Sequence, residues 1–117
     1  MNVFPNSTQV YLALGSTDMR KSINTLSILV SESMNLDPLS GNIFVFCNKN
    51  RSIIKILYWD KNGFCMWMKR LEKGRFFWPC DESEIKEINY THLRWLLDGL
   101  DISKISGHSI LNYEITY

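Results

Sequence analysis

Long apolar runs, cysteine motifs and histidines are what this 117-residue chain has little of. Its longest strongly apolar stretch, 53–59, is broken by Lys55 and falls far short of the roughly 20 residues a membrane-spanning helix needs. The opening MNVFPNSTQVYLALG lacks the charged n-region and cleavage site of a secretory signal, so a cytoplasmic location is expected. Cys47, Cys65 and Cys80 are odd in number, widely spaced and without a C-x-x-C, which argues against a disulfide scaffold and suits a reducing compartment. Cys47 and Cys65 fall inside apolar strand patterns, where a free thiol acts as a small hydrophobe. A zinc site needs a fourth ligand, and His92 and His108 lie in unrelated segments. No metal and no cofactor is expected. With a net charge of +1 the chain as a whole is neither basic nor acidic. It has no internal repeat and no low-complexity tract, and its length suits one domain with one core.

What is there is concentrated. Between residues 49 and 75 eight lysines and arginines face only Asp60 and Glu72, a local charge of +6 in a nearly neutral chain. Three of the four tryptophans fall in the overlapping segment 58–79. A basic, tryptophan-bearing hairpin region is suited to a phosphate backbone or an acidic protein.

The patterning predicts an α+β domain. Residues 9–14 read as a strand ending at Gly15, and Gly15-Ser16-Thr17-Asp18 turns into a helix with Thr17 or Asp18 as its N-cap. Met19, Ile23, Leu26, Val30 and Met34 recur at spacings of four, three, four and four, an apolar stripe made to lie on a sheet. Strands follow at 43–47, 53–59 and 64–71, the last two joined by Asp60-Lys61-Asn62-Gly63, where Asn-Gly supplies positive φ. A short extended piece is predicted at 75–78. Residues 81–87 are acidic and read as a solvated linker. A second helix is predicted at 91–97, capped by Asn89 or Thr91 and ending at Gly99. The expected architecture is an antiparallel β-meander of about four to five strands, with one amphipathic helix packed on one face and a short C-terminal helix. The domain is expected over 1–100. The weakly patterned 101–117 are expected to add a strand, make an oligomer contact or stay loosely ordered.

Three blocks, GSTDMRKSINTL at 15–26, LDPLSGNIFVFCNKNR at 36–51 and KILYWDKNGFCMWMKRLEKGRFFWP at 55–79, resemble in order and spacing the accessory protein, often called TnpB, of insertion-sequence-66-type transposable elements. The RNA-guided nuclease of the same name is a different protein, several times longer. The resemblance spans 15 to about 99. It implies a small protein encoded beside a DDE-type transposase and needed with it for efficient transposition, and it supplies no defined biochemical mechanism.

Lys49, Arg51, Lys55, Lys69, Arg70, Lys73 and Arg75 are the expected phosphate contacts, with Trp59 and Trp67 as stacking platforms. Alternation along 53–59 and 64–71 suggests that Lys55, Trp59, Trp67 and Lys69 share an outer face while Ile54, Ile56 and Tyr58 pack under the first helix. The competing reading makes the tryptophans core and the lysines a solvated rim. Arg20 and Lys21 beside a helix N-terminus suggest a further phosphate position, although Asp18 would occupy the same N–H groups and the spacing is not that of a Walker loop. The acids Asp18, Asp60 and Glu72 can be nominated for a two-metal site, but turn positions are ordinary places for solvated acids, so the protein reads as a non-enzyme. The expected function is a non-catalytic accessory factor in transposition that binds transposon DNA. The alternative is an adaptor that binds the cognate transposase without touching DNA, and a homodimer paired through its tail is a third arrangement.

Overall fold

The computed structural model describes residues 7–80 and 83–104. In chain order it contains β1 (Val10–Ser16), α1 (Ile23–Glu32), β2 (Ile43–Cys47), β3 (Ile53–Asp60), β4 (Gly63–Arg70), β5 (Ile85–Ile88), α2 (Tyr90–Leu97) and a 3-10 turn, Ile102–Lys104. The strands form one sheet in the order β4-β3-β2-β1-β5. The α+β class, the strand number and both helices are as the patterning predicts. The tight connections make β2, β3 and β4 an antiparallel meander. One pairing differs. β1 runs parallel to β2, because α1 carries the chain back along the sheet before β2 begins, so the sheet is mixed.

β2 lies at the centre of that sheet, and none of its five side chains reaches solvent. Its faces enter two separate cores. Ile43, Val45 and Cys47 join Val10, Leu12, Ile54 and Ile56 beneath Leu93, Leu96 and Leu97 of α2. Phe44 and Phe46 join Ala13 and Leu57 beneath Leu26 and Val30 of α1. The Ile54 face therefore packs under α2, not under the first helix as alternation suggested. A strand apolar on both sides carries no mark of which helix covers which side.

The helix boundaries have local causes. α1 starts later than predicted: its N-cap is Ser22, whose side chain accepts from the Thr25 N–H. Asp18 instead accepts from the Arg20 N–H at 2.9 Å and closes its own turn ahead of the helix. The predicted stripe still holds, with Leu26, Val30 and Met34 buried. α2 is capped by Asn89, whose Oδ1 accepts from the His92 N–H at 2.7 Å, and Gly99 follows it with a φ of 86°.

Two segments depart from expectation. Residues 85–88 of the acidic stretch are the edge strand β5, paired antiparallel with β1. Ile85 and Ile88 supply its apolar positions, on opposite faces of the sheet. In the β3–β4 turn the positive φ falls on Lys61 rather than on Asn-Gly. Ile102 packs into the α2 core, and the expectations placed on Asp81, Glu82, His108 and 105–117 lie outside the described residues.

Phe46→Ala is expected to cost about 3–5 kcal/mol in urea unfolding, out of a total near 5–15 kcal/mol for a domain. Ile28→Ala, on the exposed side of α1, should change stability by less than about 0.5 kcal/mol. Equal effects at the two positions would mean that α1 does not close its face of the sheet.

Candidate functional site

Both faces of the sheet are covered at its centre, and exposed charge collects at the strand ends. At one end meet the loop after β1, the β2–β3 turn and the chain leaving β4. The β2–β3 turn is held from within and from outside. Asn48 Oδ1 accepts from the N–H groups of Ser52 at 2.9 Å and Ile53 at 3.1 Å, and its amide donates to Ser52 Oγ at 3.1 Å. The Thr17 N–H donates to Cys47 O at 2.8 Å, tying the loop after β1 to the end of β2. On the other side, Leu71 N–H donates to Ser52 O at 2.8 Å and Phe76 N–H to Arg51 O at 2.7 Å. Three segments distant in sequence thus form one braced rim beyond the carboxyl ends of β1 and β2, where open sheets with parallel strands commonly hold their ligands.

The rim carries the charge. Lys49, Arg51 and Arg75 line one open groove of about 990 Å³, whose other walls include Gly74, Phe77 and Asp101. Lys49 also borders an adjoining recess of about 380 Å³ with Thr17, Asp18 and Asn50. Lys73 is exposed beside Gly74. Among the described residues, Lys49, Arg51, Lys73 and Arg75 make no ion pair. Arg20 is exposed and pairs with Asp18 at 2.6 Å, and Arg70 pairs with Glu72 at 3.1 Å. The hydrogen bond from Arg20 holds the Asp18 carboxyl well below the usual carboxylate range. Both pairs stand in water, where such contacts contribute little and open easily.

The predicted shared face of Lys55, Trp59, Trp67 and Lys69 does not form. In the β3–β4 register Lys55 lies opposite Met68 and Trp59 opposite Phe64, while Trp67 and Lys69 lie opposite Ile56 and Ile54. The pairs therefore project from opposite faces of the sheet. Trp59 meets Phe64 edge-on with centroids 5.1 Å apart, and Trp67 packs against the α2 core. Lys55 Nζ donates to the carbonyls of Met19 at 2.6 Å and Lys21 at 3.3 Å, holding the loop after β1. Lys69 Nζ donates to Leu97 O at 2.8 Å, a cation set against the C-terminus of α2. Lys21 therefore takes part through its carbonyl, and the helix N-terminus expected beside it begins at Ser22 instead.

Phe77 was not among the predicted site residues. Phe76 and Trp78 are buried, and Trp78 Nε1 donates to Leu14 O at 3.1 Å, so strict alternation turns Phe77 outward at 52% exposure. A period of two in Arg75-Phe76-Phe77-Trp78, between Gly74 and Pro79, was the available signal.

The acids nominated for catalysis do not converge. Asp18 and Glu72 are engaged by neighbouring arginines, and Asp60 ends β3 at the opposite end of the sheet from the rim. No group of three metal-capable side chains occurs among the described residues. Burial pushes the Cys47 thiol up to about 11, and burial, helped by Lys86, holds His92 below its ordinary value. No helix among the described residues is long and apolar enough to cross a membrane.

Fold and rim together define a small three-layered α+β domain, one sheet between two helices, with a basic rim and no assembled catalytic constellation among the described residues. The chain belongs to the family of IS66 Orf2-like proteins, whose model matches residues 8–107. Membership places it in a transposition-associated accessory role, in a family not known for catalysis. It is similar to the uncharacterized protein y4hO of Sinorhizobium fredii (strain NBRC 101917 / NGR234), 40% identical over 95 residues that span 81% of this chain and 83% of that protein. It is also similar to the uncharacterized protein y4jC of the same strain, 30% identical over 97 residues that span 83% of each chain. No solved structure matches it.

Arg51 sits at a φ of 61°, left-handed backbone that disfavours side chains other than glycine by about 1 kcal/mol. Arg51→Gly is therefore expected to leave thermal stability within about 1 kcal/mol of wild type. A larger loss would mean that the guanidinium itself holds the turn together.

Proposed function

We propose that the protein binds nucleic acid through this rim as a non-catalytic accessory factor in transposition of an IS66-type element. The observation that carries the reading is the meeting of Lys49, Arg51 and Arg75 in one open groove with no ion pair among the described residues. Positive side chains that make no ion pair among the described residues, on a braced backbone, suit phosphate, which they bind with release of condensed counterions. Arg51 supports the reading from another side: an arginine occupies a backbone position where glycine would be less strained, as residues kept for contact rather than for folding often do. Lys73 extends the groove, and Arg20 and Arg70 can join by exchanging an exposed carboxylate for a phosphate oxygen. Lys55 and Lys69 serve from behind, one holding the rim loop and the other holding α2.

The test is fluorescence anisotropy with labelled element-end DNA. Affinity is expected to fall at least about tenfold between roughly 50 and 200 mM salt. Lys49→Glu with Arg75→Glu should weaken binding about tenfold or more, and Arg51→Gly should weaken it without loss of fold. Lys61→Glu, at the far end of β3 and about 25 Å from the rim, makes the same charge change per residue and should leave affinity within about twofold. Binding that Lys61→Glu reduces as much as the rim variants would make the attraction a general charge effect. Failure to bind at low salt would shift the role to an acidic surface of the cognate transposase.

A further inference from the structure

Phe77 gives the groove a feature that phosphate binding alone does not need. We infer that the groove receives an unpaired nucleotide of a single-stranded nucleic acid, the base stacking on Phe77 and the flanking phosphates held by Lys49, Arg51 and Arg75. The inference rests on the nucleic-acid reading above and adds to it the form of the ligand.

Three observations point this way. Phe77 is half exposed, while its neighbours Phe76 and Trp78 are 1% and 5% exposed. The chain that carries the ring is also anchored on both sides: Phe76 N–H donates to Arg51 O at 2.7 Å, and the buried Trp78 side chain donates through Nε1 to Leu14 O at 3.1 Å. An apolar ring turned half into water from an anchored segment adds little to the core, and its position leaves it available to a flat partner. Finally, the ring lines the same groove as the three unpaired cations.

A duplex keeps its bases stacked inside and offers this rim only phosphate and sugar, leaving Phe77 without a partner. A single strand offers both, a base face for the ring and a flexible backbone that can follow the cations. Asp101 also lines the groove, its Oδ1 accepting from Ser103 N–H and Oγ at 3.1 and 2.5 Å. Its charge repels phosphate from that wall and confines the backbone to the side of Lys49, Arg51 and Arg75. Trp59 and Trp67, packed against Phe64 and the α2 core, lie outside this groove.

The experiment compares three ligands in anisotropy titrations: a labelled single strand of about 16 nucleotides, its duplex, and a strand of equal length in which abasic positions keep every phosphate. The proteins are wild type, Phe77→Ala and Phe77→Trp, with thermal melts to confirm that the exposed substitutions leave the fold intact. Phe77→Ala is expected to weaken single-strand binding by about 5- to 100-fold and duplex binding by less than about twofold. Phe77→Trp should retain the single-strand affinity, and wild type should bind the abasic strand about as weakly as Phe77→Ala binds the intact one. Single-strand binding unchanged by Phe77→Ala would overturn the stacking role and leave phosphate recognition by the rim standing. If wild type bound none of the three ligands at low salt, both readings would fall together.

Discussion

With every β2 side chain shut off from water on both faces of the sheet, the chain must cover each face, and α1 and α2 are those covers. Each fully buried aliphatic or aromatic side chain contributes on the order of 1.5–3 kcal/mol, so neither cover can be given up in a domain this small. The connectivity follows. α1 must leave β1 and return to the start of β2, which makes that pair parallel and sets the carboxyl ends of both strands at the same end of the sheet. The short loop and the two-residue turn between β2, β3 and β4 then bring the carboxyl end of β4 to that same end. Faces covered at the centre of the sheet leave the strand ends as places where charged side chains can meet a ligand.

The lysines and arginines divide by what their nitrogens face. Lys55 and Lys69 have backbone carbonyls within hydrogen-bond distance, so removing either takes a contact from the fold. Lys49, Lys73 and Arg75 are exposed at the rim and Arg51 half-buried there, while Arg20 and Arg70 hold carboxylates that water screens. One count of positive charge thus covers two kinds of residue. In the proposed function the first kind sets the shape of the rim and the second supplies its attraction. The bond from Lys55 to the loop after β1 links the two, since it fixes a wall of the recess that Lys49 shares.

Much of the fold was legible in residue patterns. The Leu26-Val30-Met34 stripe, the Leu93-Leu96-Leu97 face and the tight β3–β4 turn each have a local cause, and each is found in place. The assignment of faces was not legible, because β2 and β3 are apolar on both sides and alternation cannot say which side α1 covers. The rim was half legible. The density of positive charge marked the segment that carries Lys49, Arg51, Lys73 and Arg75 of the rim, but the β3–β4 register decides which side chains stand together, and it separates Lys55 and Trp59 from Trp67 and Lys69. β5 was hidden because Glu84, Lys86 and Glu87 obscured the two isoleucines that carry its apolar positions beside β1. Phe77 was overlooked because in an aromatic run the outward ring is known only once its neighbours are seen to be buried.

The central claim is that a braced rim at one end of the sheet, not the faces of the β3–β4 hairpin, meets nucleic acid. Amide chemical-shift mapping of isotope-labelled protein, titrated with a single-stranded oligonucleotide, tests it residue by residue. Shifts are expected at 17–21, 48–52, 73–78 and 101–103, with the turn at 60–63 and the strand positions around Trp59 and Trp67 unmoved. Shifts centred on that turn and those tryptophans, with the rim silent, would contradict it.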